Sequence, residues 1–286
     1  MSHRSVGAFL ILLAGCVLPV AGHSGTLDQI KKSGEIRLGY RTDVPPLTFN
    51  DASGQPAGYS VELCRRIAAG VKEHLKLSEL KTTFVPLKTA ERMDAIADNK
   101  ADIECGATTI TLSRQQKVDF TLMTFVTGGG LMSLAGSGID AVASLSGKSV
   151  AVVSGTTAET ALKDHLAKHL IDAKVVAVGT REEAMKQLQA KQVAAVASDQ
   201  VVLIGQLMQA QDPKAFSIAR ELFSYEPYGF VVRRNDADFR LVANGALAQL
   251  YRSGQIKEVY DRWFGRAGVQ PSPVLAAMYV LEALPE

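Results

Sequence analysis

The chain has 286 residues, of which 47% are hydrophobic and 21% charged, so it is long enough for two domains and too apolar for a disordered protein. Its 31 basic and 29 acidic residues leave a formal net charge of +2 and form no long run of one sign. This balance argues against a protein that binds nucleic acid or a membrane surface by electrostatic attraction.

Residues 1–25 predict a secretory signal peptide, because a short cationic start is followed by an apolar centre and a small-residue exit. The mature protein is therefore expected in the periplasm. The stretch LAGC, which ends at Cys16, also resembles a lipobox, whose cysteine is lipidated and anchors the protein. Apolar residues continue past Cys16, which favours removal with the signal, and both alternatives stay open. No later apolar run reaches the ~20 residues that cross a bilayer.

Strands and helices alternate after the signal. TLDQIKKS predicts a short helix that stops at Ser33-Gly34, and EIRLGY predicts a strand that ends at Arg41. A helix follows over GYSVELCRRIAAGVKEHL, and then come the strand KTTFVPL, the helix AERMDAIADNK and the strand ADIECG. This alternation predicts a mostly parallel, buried sheet.

A second alternating run, from KSVAVVSG to QVVLIGQLMQA, has its own set of core-forming strands and helices. The next segment holds one strand and two amphipathic helices, which lack a sheet of their own and are expected to dock on the first domain. We therefore predict two α/β lobes, with residues 26–126 and 228–286 in lobe 1 and residues 127–227 inserted as lobe 2. Two crossings between equal lobes make a hinge with a ligand cleft.

Cys64 and Cys105 are the two cysteines outside the signal segment. In an oxidising compartment they can pair, which closes a loop of about 40 residues and stabilises the fold by about 2–4 kcal/mol. Two buried free thiols are the alternative, because each cysteine lies in an apolar element. His165 and His169 have metal-ligand spacing, but their polar helix face favours simple solvation. We predict neither a metal site nor a cofactor.

Ligands of open α/β sheets bind beyond the carboxyl ends of the strands, and the turns there carry many arginines and hydroxyls. Helix N-termini favour acidic side chains, yet Arg92, Arg114 and Arg181 fall in or near first turns. Arginines at that edge predict a bound anion, with hydroxyls and backbone N–H groups as further donors. The candidate residues in these turns are Arg41, Thr89, Arg92, Ala107, Thr109, Arg114, Thr156, Thr157 and Arg181.

Each candidate also has a simpler explanation, and only the clustering of the candidates favours a ligand site. The simpler accounts are a solvated Arg41, ion pairs of Arg92 with Glu91 or Asp94 and of Arg181 with Glu182 or Glu183, and ordinary helix capping by Thr89 and Thr157.

Catalytic motifs are missing from the sequence: it contains no GxSxG, no HExxH and no GxxxxGK. Glu104 lies in an apolar strand, where a buried carboxyl group can act as a general acid. Strand alternation points Glu104 away from Cys105, which favours a hydrogen-bonding role instead. We predict that the protein is not an enzyme.

Seven ordered stretches resemble one family: GYR…PPLTF, GYSVELC, T..R, DIECGATT…RQ..VDFT, GK.VAVVSGTTAE, EPYGFVVRR and SGQI..VYDRWF. They are similar to the extracytoplasmic polar amino-acid-binding proteins of ABC importers, solute-binding family 3, and most similar to the glutamate/aspartate-binding branch. The resemblance runs from about Leu27 to Phe264. It implies a type II periplasmic-binding-protein fold, the "Venus flytrap", in which each lobe is a mainly parallel sheet flanked by helices and two strands form the hinge.

Carried over by position, the resemblance assigns roles to the candidates. Arg114 would clamp the ligand α-carboxylate, and Thr109 and Thr157 would add hydrogen bonds. Asp199, also a candidate N-cap, would accept from the α-ammonium. The side-chain carboxylate of the ligand would be held by Arg41, Arg92 and Thr89.

Two positions depart from the acidic-ligand pattern. Ala107 stands where that branch usually has serine, and Arg181 stands where it often has histidine. Losing a neutral hydrogen bond costs about 0.5–1.5 kcal/mol and adding a charge-assisted one returns about 1.5–3 kcal/mol, so the exchange shifts the choice of diacid rather than abolishing binding.

The resemblance implies a monomeric receptor that captures an acidic amino acid and delivers it to a membrane permease of an ABC importer. The first alternative is the same fold with glutamine, another polar amino acid or an opine as its ligand. The second is a periplasmic dehydratase-like enzyme, for which Glu104 is the candidate acid. The third is a sensor module, but no transmembrane or signalling segment follows residue 264.

Overall fold

A computed structural model describes residues 25–265 and 268–285. The signal segment and Cys16 lie outside the described residues, so both alternatives for Cys16 stay predictions. Within the described ranges, no helix has the length and apolar character needed to span a bilayer.

The described residues form the alternating strands and helices that the sequence predicts, with additional short strands. The strands are Glu35–Tyr40 (β1), Asp43–Val44 (β2), Thr48–Asn50 (β3), Pro56–Ala57 (β4), Lys81–Pro86 (β5), Ile103–Glu104 (β6), Val118–Thr127 (β7), Gly129–Leu134 (β8), Ser149–Val153 (β9), Lys174–Val178 (β10), Ala195–Asp199 (β11), Phe216–Ile218 (β12) and Glu226–Arg233 (β13). The helices are Thr26–Ser33 (α1), Tyr59–His74 (α2), Arg92–Ala97 (α3), Leu112–Gln115 (α4), Thr157–Lys168 (α5), Arg181–Gln189 (α6), Gln200–Gln209 (α7), Ala237–Arg252 (α8), Ile256–Trp263 (α9) and Pro273–Leu281 (α10).

Two five-stranded sheets have the same layout, with orders β5-β1-β6-β13-β7 and β10-β9-β11-β8-β12. In each sheet four strands run in one direction and the fourth in the order runs against them, since β13 is antiparallel to β6 and β7, and β8 is antiparallel to β11 and β12. The reversed strand is the one that enters each lobe from the other lobe. The sheets are therefore mainly parallel, as predicted, and the hinge strands account for the exception.

Helices cover both faces of the sheets, as continuous apolar strands require. The core of the first lobe packs α2, α8, α9 and α10 against β1 and β13, with Tyr59, Phe230 and Phe239 fully buried. The expected docking of the C-terminal helices on the first domain is confirmed, because residues of α8 and α9 belong to this core. A disulfide joins Cys64 on α2 to Cys105 after β6, with both residues fully buried.

A small sheet of β2, β3 and β4 was not predicted. Its strands hold two or three residues each, which is too short for side-chain alternation to identify them. Strand β2 begins with Asp43, whose carboxylate contacts two arginines of the site described below. On α5, the rings of His165 and His169 stack with centroids 4.3 Å apart.

Candidate functional site

The four predicted arginines meet where the two lobes face each other. Arg92 begins α3 and is 6% exposed, and Arg41 follows β1 with the same exposure. Burial lowers the pKa of Arg92 to about 10; Glu104 opposes this shift, while nearby Arg114, Arg41 and Arg181 add to it. The charges of Arg114, Arg41 and Arg181 thus act on Arg92, and Asp43 contacts both Arg41 and Arg181.

Arg92 and Arg114 share a property that the other two arginines lack. Among residues 25–265 and 268–285, no carboxylate oxygen lies within 4.0 Å of either guanidinium. Arg92 donates to the backbone oxygen of Thr89 at 2.9 Å, and its Nε is buried with no partner in the described chain. Arg114 donates to the backbone oxygen of Thr109 at 2.7 Å. Backbone carbonyls hold both side chains, neither forms a close ion pair in the described part of the chain, and the proposed pairing of Arg92 with Glu91 or Asp94 is wrong. Burial lowers the pKa of Arg114, and the charges of Glu226, Asp199 and Glu104 oppose that shift.

Asp43 pairs with the other two arginines and bridges the lobes. Its Oδ1 accepts from Arg41 at 2.7 Å, and its Oδ2 accepts from Arg181 of α6 at 3.1 Å. The simpler accounts of a solvated Arg41 and of a local Arg181 pair are therefore wrong. Glu182 pairs instead with Lys186. Burial lowers the pKa of Arg41, with a further lowering from Arg181 that Asp43 opposes.

Glu104 is fully buried in β6 beside the arginines. Thr108 donates to its Oε2 at 2.9 Å, while Oε1 has no partner in the described part of the chain. Burial raises the pKa of Glu104, and attraction to Arg92 works against that shift. The charge of Glu104 in turn opposes the lowering of the Arg92 pKa by burial.

Threonine N-caps begin two helices of the second lobe, α5 and α6. Thr156, not Thr157, caps α5: its hydroxyl accepts from the Glu159 N–H at 3.2 Å and donates to the Val153 oxygen at 2.7 Å. At α6 the N–H of Glu183 donates to Thr180 at 3.1 Å. These Thr-x-x-Glu spacings were visible in the sequence as capping signatures.

The hydroxyl of Thr156 is used for capping. Thr157 lies in the first turn of α5, and its hydroxyl contacts that of Thr109 in the first lobe. At α3 the N-cap position belongs to Glu91. The capping role considered for Thr89 and Thr157 is wrong.

Asp199 occupies the N-cap position of α7, but its side chain makes no capping hydrogen bond. Its Oδ2 instead accepts from the hydroxyl of Tyr228, which lies on β13 in the other lobe. Burial raises the pKa of Asp199 to about 6, the charge of Glu226 adds to the rise, and the Tyr228 hydroxyl, Arg181 and Arg114 oppose it. Asp199 is thus an acid directed into the space between the lobes.

Glu226, at the start of β13, is the residue that sequence reasoning missed. It is 2% exposed, and three hydroxyls converge on its carboxylate. Thr109 donates to Oε2 at 2.6 Å, Thr157 donates to the same oxygen at 2.7 Å, and Ser224 donates to Oε1 at 2.7 Å. The available signal was an acidic residue at the second hinge crossing, in the stretch EPYGFVVRR.

The lobes are in contact across this cleft. Thr109 and Thr157 approach to 3.1 Å. A groove of about 630 Å³ beside them is lined by Arg114 and Glu226 but not by Arg41, Arg92, Arg181 or Asp199. Gly205 of α7 lies so close to Pro45 that a Cβ there would stand 1.7 Å from the Pro45 oxygen. This geometry is a closed one.

The remaining candidate, Ala107, is half-buried and packs its methyl group against the core of the first lobe. The site as a whole offers four guanidinium groups, two hydroxyls shared between the lobes and four carboxyl groups, from Asp43, Glu104, Asp199 and Glu226. Chemically, it can hold a small molecule that carries both carboxylate and ammonium groups.

Comparison with known proteins gives a consistent result. Residues 36–266 match the family model "Bacterial extracellular solute-binding proteins, family 3". The chain is 33% identical over 251 residues to the L-glutamate/L-aspartate-binding protein of Pseudomonas aeruginosa, which covers 87% of this chain and 82% of that protein. It is 30% identical over 246 residues to the glutamate/aspartate import solute-binding protein of Salmonella typhimurium, covering 86% and 81%.

A solved structure with a similar fold is that of an ancestral amino acid-binding protein, a precursor of cyclohexadienyl dehydratase. It aligns with a TM-score of 0.71 at 28% identity and covers 84% of this chain and 100% of that one.

Proposed function

The chain belongs to family 3 of the bacterial extracellular solute-binding proteins, and on that premise we propose that it is the periplasmic receptor for an acidic amino acid. The ligand is glutamate or aspartate, and the loaded receptor, a monomer, delivers it to the membrane permease of an ABC importer. Two relatives bear the name of glutamate/aspartate-binding proteins, which supports this ligand class.

The observation that carries the proposal is the pair of unpaired cations, Arg92 and Arg114. Neither guanidinium has an ion-pair partner within 4.0 Å in the described chain, and a ligand carboxylate would supply a close counterion together with charge-assisted hydrogen bonds. Two unpaired guanidinium groups match the two carboxylates of a dicarboxylic amino acid. We assign the α-carboxylate to Arg114 and the side-chain carboxylate to Arg92, with Arg41 and Thr89 beside it.

The ammonium group of the ligand fits the acidic side of the cleft. Asp199 and Glu226 both face the region where the lobes meet. Burial raises the pKa of Asp199, the charge of Glu226 adds to the rise, and a ligand cation nearby would offset both effects. A dicarboxylate without an ammonium group would leave these two acids together and uncompensated.

A neutral amino acid such as glutamine would fill the same space but leave Arg92 unpaired. Truncating one partner of a buried charge pair costs about 2–5 kcal/mol, so we expect glutamine to bind at least about 30-fold more weakly than glutamate. This difference separates the acidic-ligand proposal from its first alternative.

A binding role also accounts for Glu104 without catalysis. Its carboxyl group accepts from Thr108 and attracts Arg92, so it is a fixed counter-charge in the floor of the site. A dehydratase would need this group free to transfer a proton to a substrate. We therefore propose that the protein binds and does not transform its ligand.

Isothermal titration calorimetry of the mature protein with L-glutamate, L-aspartate and L-glutamine tests the proposal. We expect micromolar binding of one or both acids, equivalent to about 8 kcal/mol. The proposal is wrong if neither acid gives heat or a thermal shift at millimolar concentration, or if glutamine binds as tightly as the acids.

A further inference from the structure

The carboxylate of Glu226 fixes the direction in which two cleft hydroxyls can hydrogen-bond. The oxygens of Glu226, Thr109 and Thr157 form a triangle with edges of 2.6, 2.7 and 3.1 Å. A carboxylate supplies acceptors only, and each threonine supplies one proton. Two protons thus have to serve three contacts.

The two short edges both end on the carboxylate, which is the stronger acceptor because it is charged. Each threonine proton is therefore donated to Glu226. The hydroxyls of Thr109 and Thr157 then present only their lone pairs to a ligand. A group that donates can bind there, whereas a ligand carboxylate cannot.

Further contacts hold Glu226 in this arrangement. Ser224 donates to its second oxygen at 2.7 Å, and Gly129 in turn donates to the Ser224 hydroxyl at 2.9 Å. Because Glu226 pairs with Thr127 in the hinge ladder, its backbone position is set by the two strands that connect the lobes. The carboxylate is thus part of the hinge, yet it reaches a hydroxyl from each lobe.

We infer that Glu226 is a positioning residue for the ligand ammonium group: it takes the hydroxyl protons of Thr109 and Thr157 and so makes both hydroxyls acceptors. Asp199, whose pKa is raised by burial and by the charge of Glu226, is a further acceptor between the lobes. This assignment of the two hydroxyls revises the role that family resemblance gives to Thr109 and Thr157, which was to reinforce the clamp on the α-carboxylate. The inference rests on the proposed function.

The test compares L-glutamate with glutarate, the same diacid without its amino group, by calorimetry on the wild type and on Glu226→Gln. We expect Glu226→Gln to weaken L-glutamate by about 10- to 100-fold, since charge-assisted hydrogen bonds are lost. Glutarate, which has no ammonium group, should not weaken by more than about threefold, and it can bind more tightly because the variant removes the charge of Glu226. A residue that only held the lobes closed would weaken both ligands by the same factor, and that result would overturn the inference.

Thr157→Val provides an independent arm that leaves Glu226 in place. It should also weaken L-glutamate while leaving glutarate unchanged, whereas equal losses would mean that the hydroxyl donates to a carboxylate. In Glu226→Gln, adding Thr157→Val should cost less than it does alone, because the two residues act through one hydroxyl. Should the wild type bind neither ligand, the proposed function fails and this inference with it; parallel losses in a wild type that binds L-glutamate refute the inference alone.

Discussion

Replacing Arg92 by methionine should remove ligand binding while leaving the ligand-free fold nearly as stable as the wild type. Arg92 is buried and has no carboxylate within 4.0 Å in the described chain, so its charge is a burden that the ligand relieves. Methionine has a similar length and no charge. The substitution therefore separates a binding arginine from a structural one.

The size of the effect follows from the pKa. A fall from the ordinary 12.5 to about 10 means that keeping Arg92 charged costs the folded protein about 3 kcal/mol. Methionine removes this cost but also removes the bond to the Thr89 oxygen, which is worth about 1.5–3 kcal/mol for a charged donor. Glu104 loses its attraction to Arg92, so the rise of its pKa by burial is no longer opposed by that charge. We expect the free energy of unfolding of Arg92→Met to lie within about 2 kcal/mol of the wild type.

Urea denaturation with and without L-glutamate measures both effects. At 100 times the wild-type Kd, the ligand should stabilise the wild type by about 2.7 kcal/mol, and a 100-fold weaker variant by only about 0.4 kcal/mol. The matched control is Arg37→Met on β1, where Arg37 forms a 2.6 Å ion pair with the buried Asp102. That variant should lose about 3 kcal/mol of stability and keep its ligand response. A loss of 3–5 kcal/mol in ligand-free Arg92→Met would mean that Arg92 is a structural ion-pair partner and would refute the reasoning.

Three further changes test other parts of the site. Because burial raises the pKa of Asp199 to about 6 and an ammonium ligand favours its ionised form, L-glutamate should bind about tenfold more weakly at pH 5 than at pH 7. Calorimetry on Asp199→Asn should show that this pH dependence is gone, and an unchanged slope would exclude Asp199 as its source. Gly205→Ala places a Cβ against the Pro45 oxygen, so it should hinder closure and weaken the binding of L-glutamate by about 5- to 150-fold. The control Gly245→Ala, which has open space around it, should leave the affinity unchanged. Small-angle scattering would show whether the lobes of Gly205→Ala stay apart. Reducing the Cys64–Cys105 disulfide should lower the free energy of unfolding by about 2–4 kcal/mol in chemical denaturation, and an unchanged value would mean that the loop is restrained without it.

The alternation of strands and helices could be predicted from the sequence because each element carries its own periodicity. The C-cap at Gly34, for example, ends α1 where the sequence places the stop. The arginines could be found for a similar reason, since a cation in the first turn of a helix contradicts a local rule. Features that depend on residues close together in the sequence could thus be predicted.

The ion-pair partners were out of reach because they are distant in sequence. Local reasoning offered Glu182 or Glu183 for Arg181, but the observed partner is Asp43, 138 residues away. Thr109 and Glu226 are separated by 117 residues and meet only because the hinge strands bring them together. Reading which charges are already paired requires the tertiary structure.

The pairing of Arg181 with Asp43 bears on the position at which this chain differs from the acidic-ligand pattern. An arginine in place of histidine suggests an extra cation for the ligand, yet Asp43 accepts from both Arg181 and Arg41. Asp43 therefore neutralises the added positive charge. The Nε of Arg181 is buried without a partner in the described chain, so it can still donate a hydrogen bond to a ligand. Among residues 25–265 and 268–285, the guanidinium groups of Arg92 and Arg114 remain without an ion pair, and the proposed dicarboxylic ligand has one carboxylate for each. The substitution at Arg181 thus leaves the charge requirement for the ligand unchanged and ties the second lobe to the first.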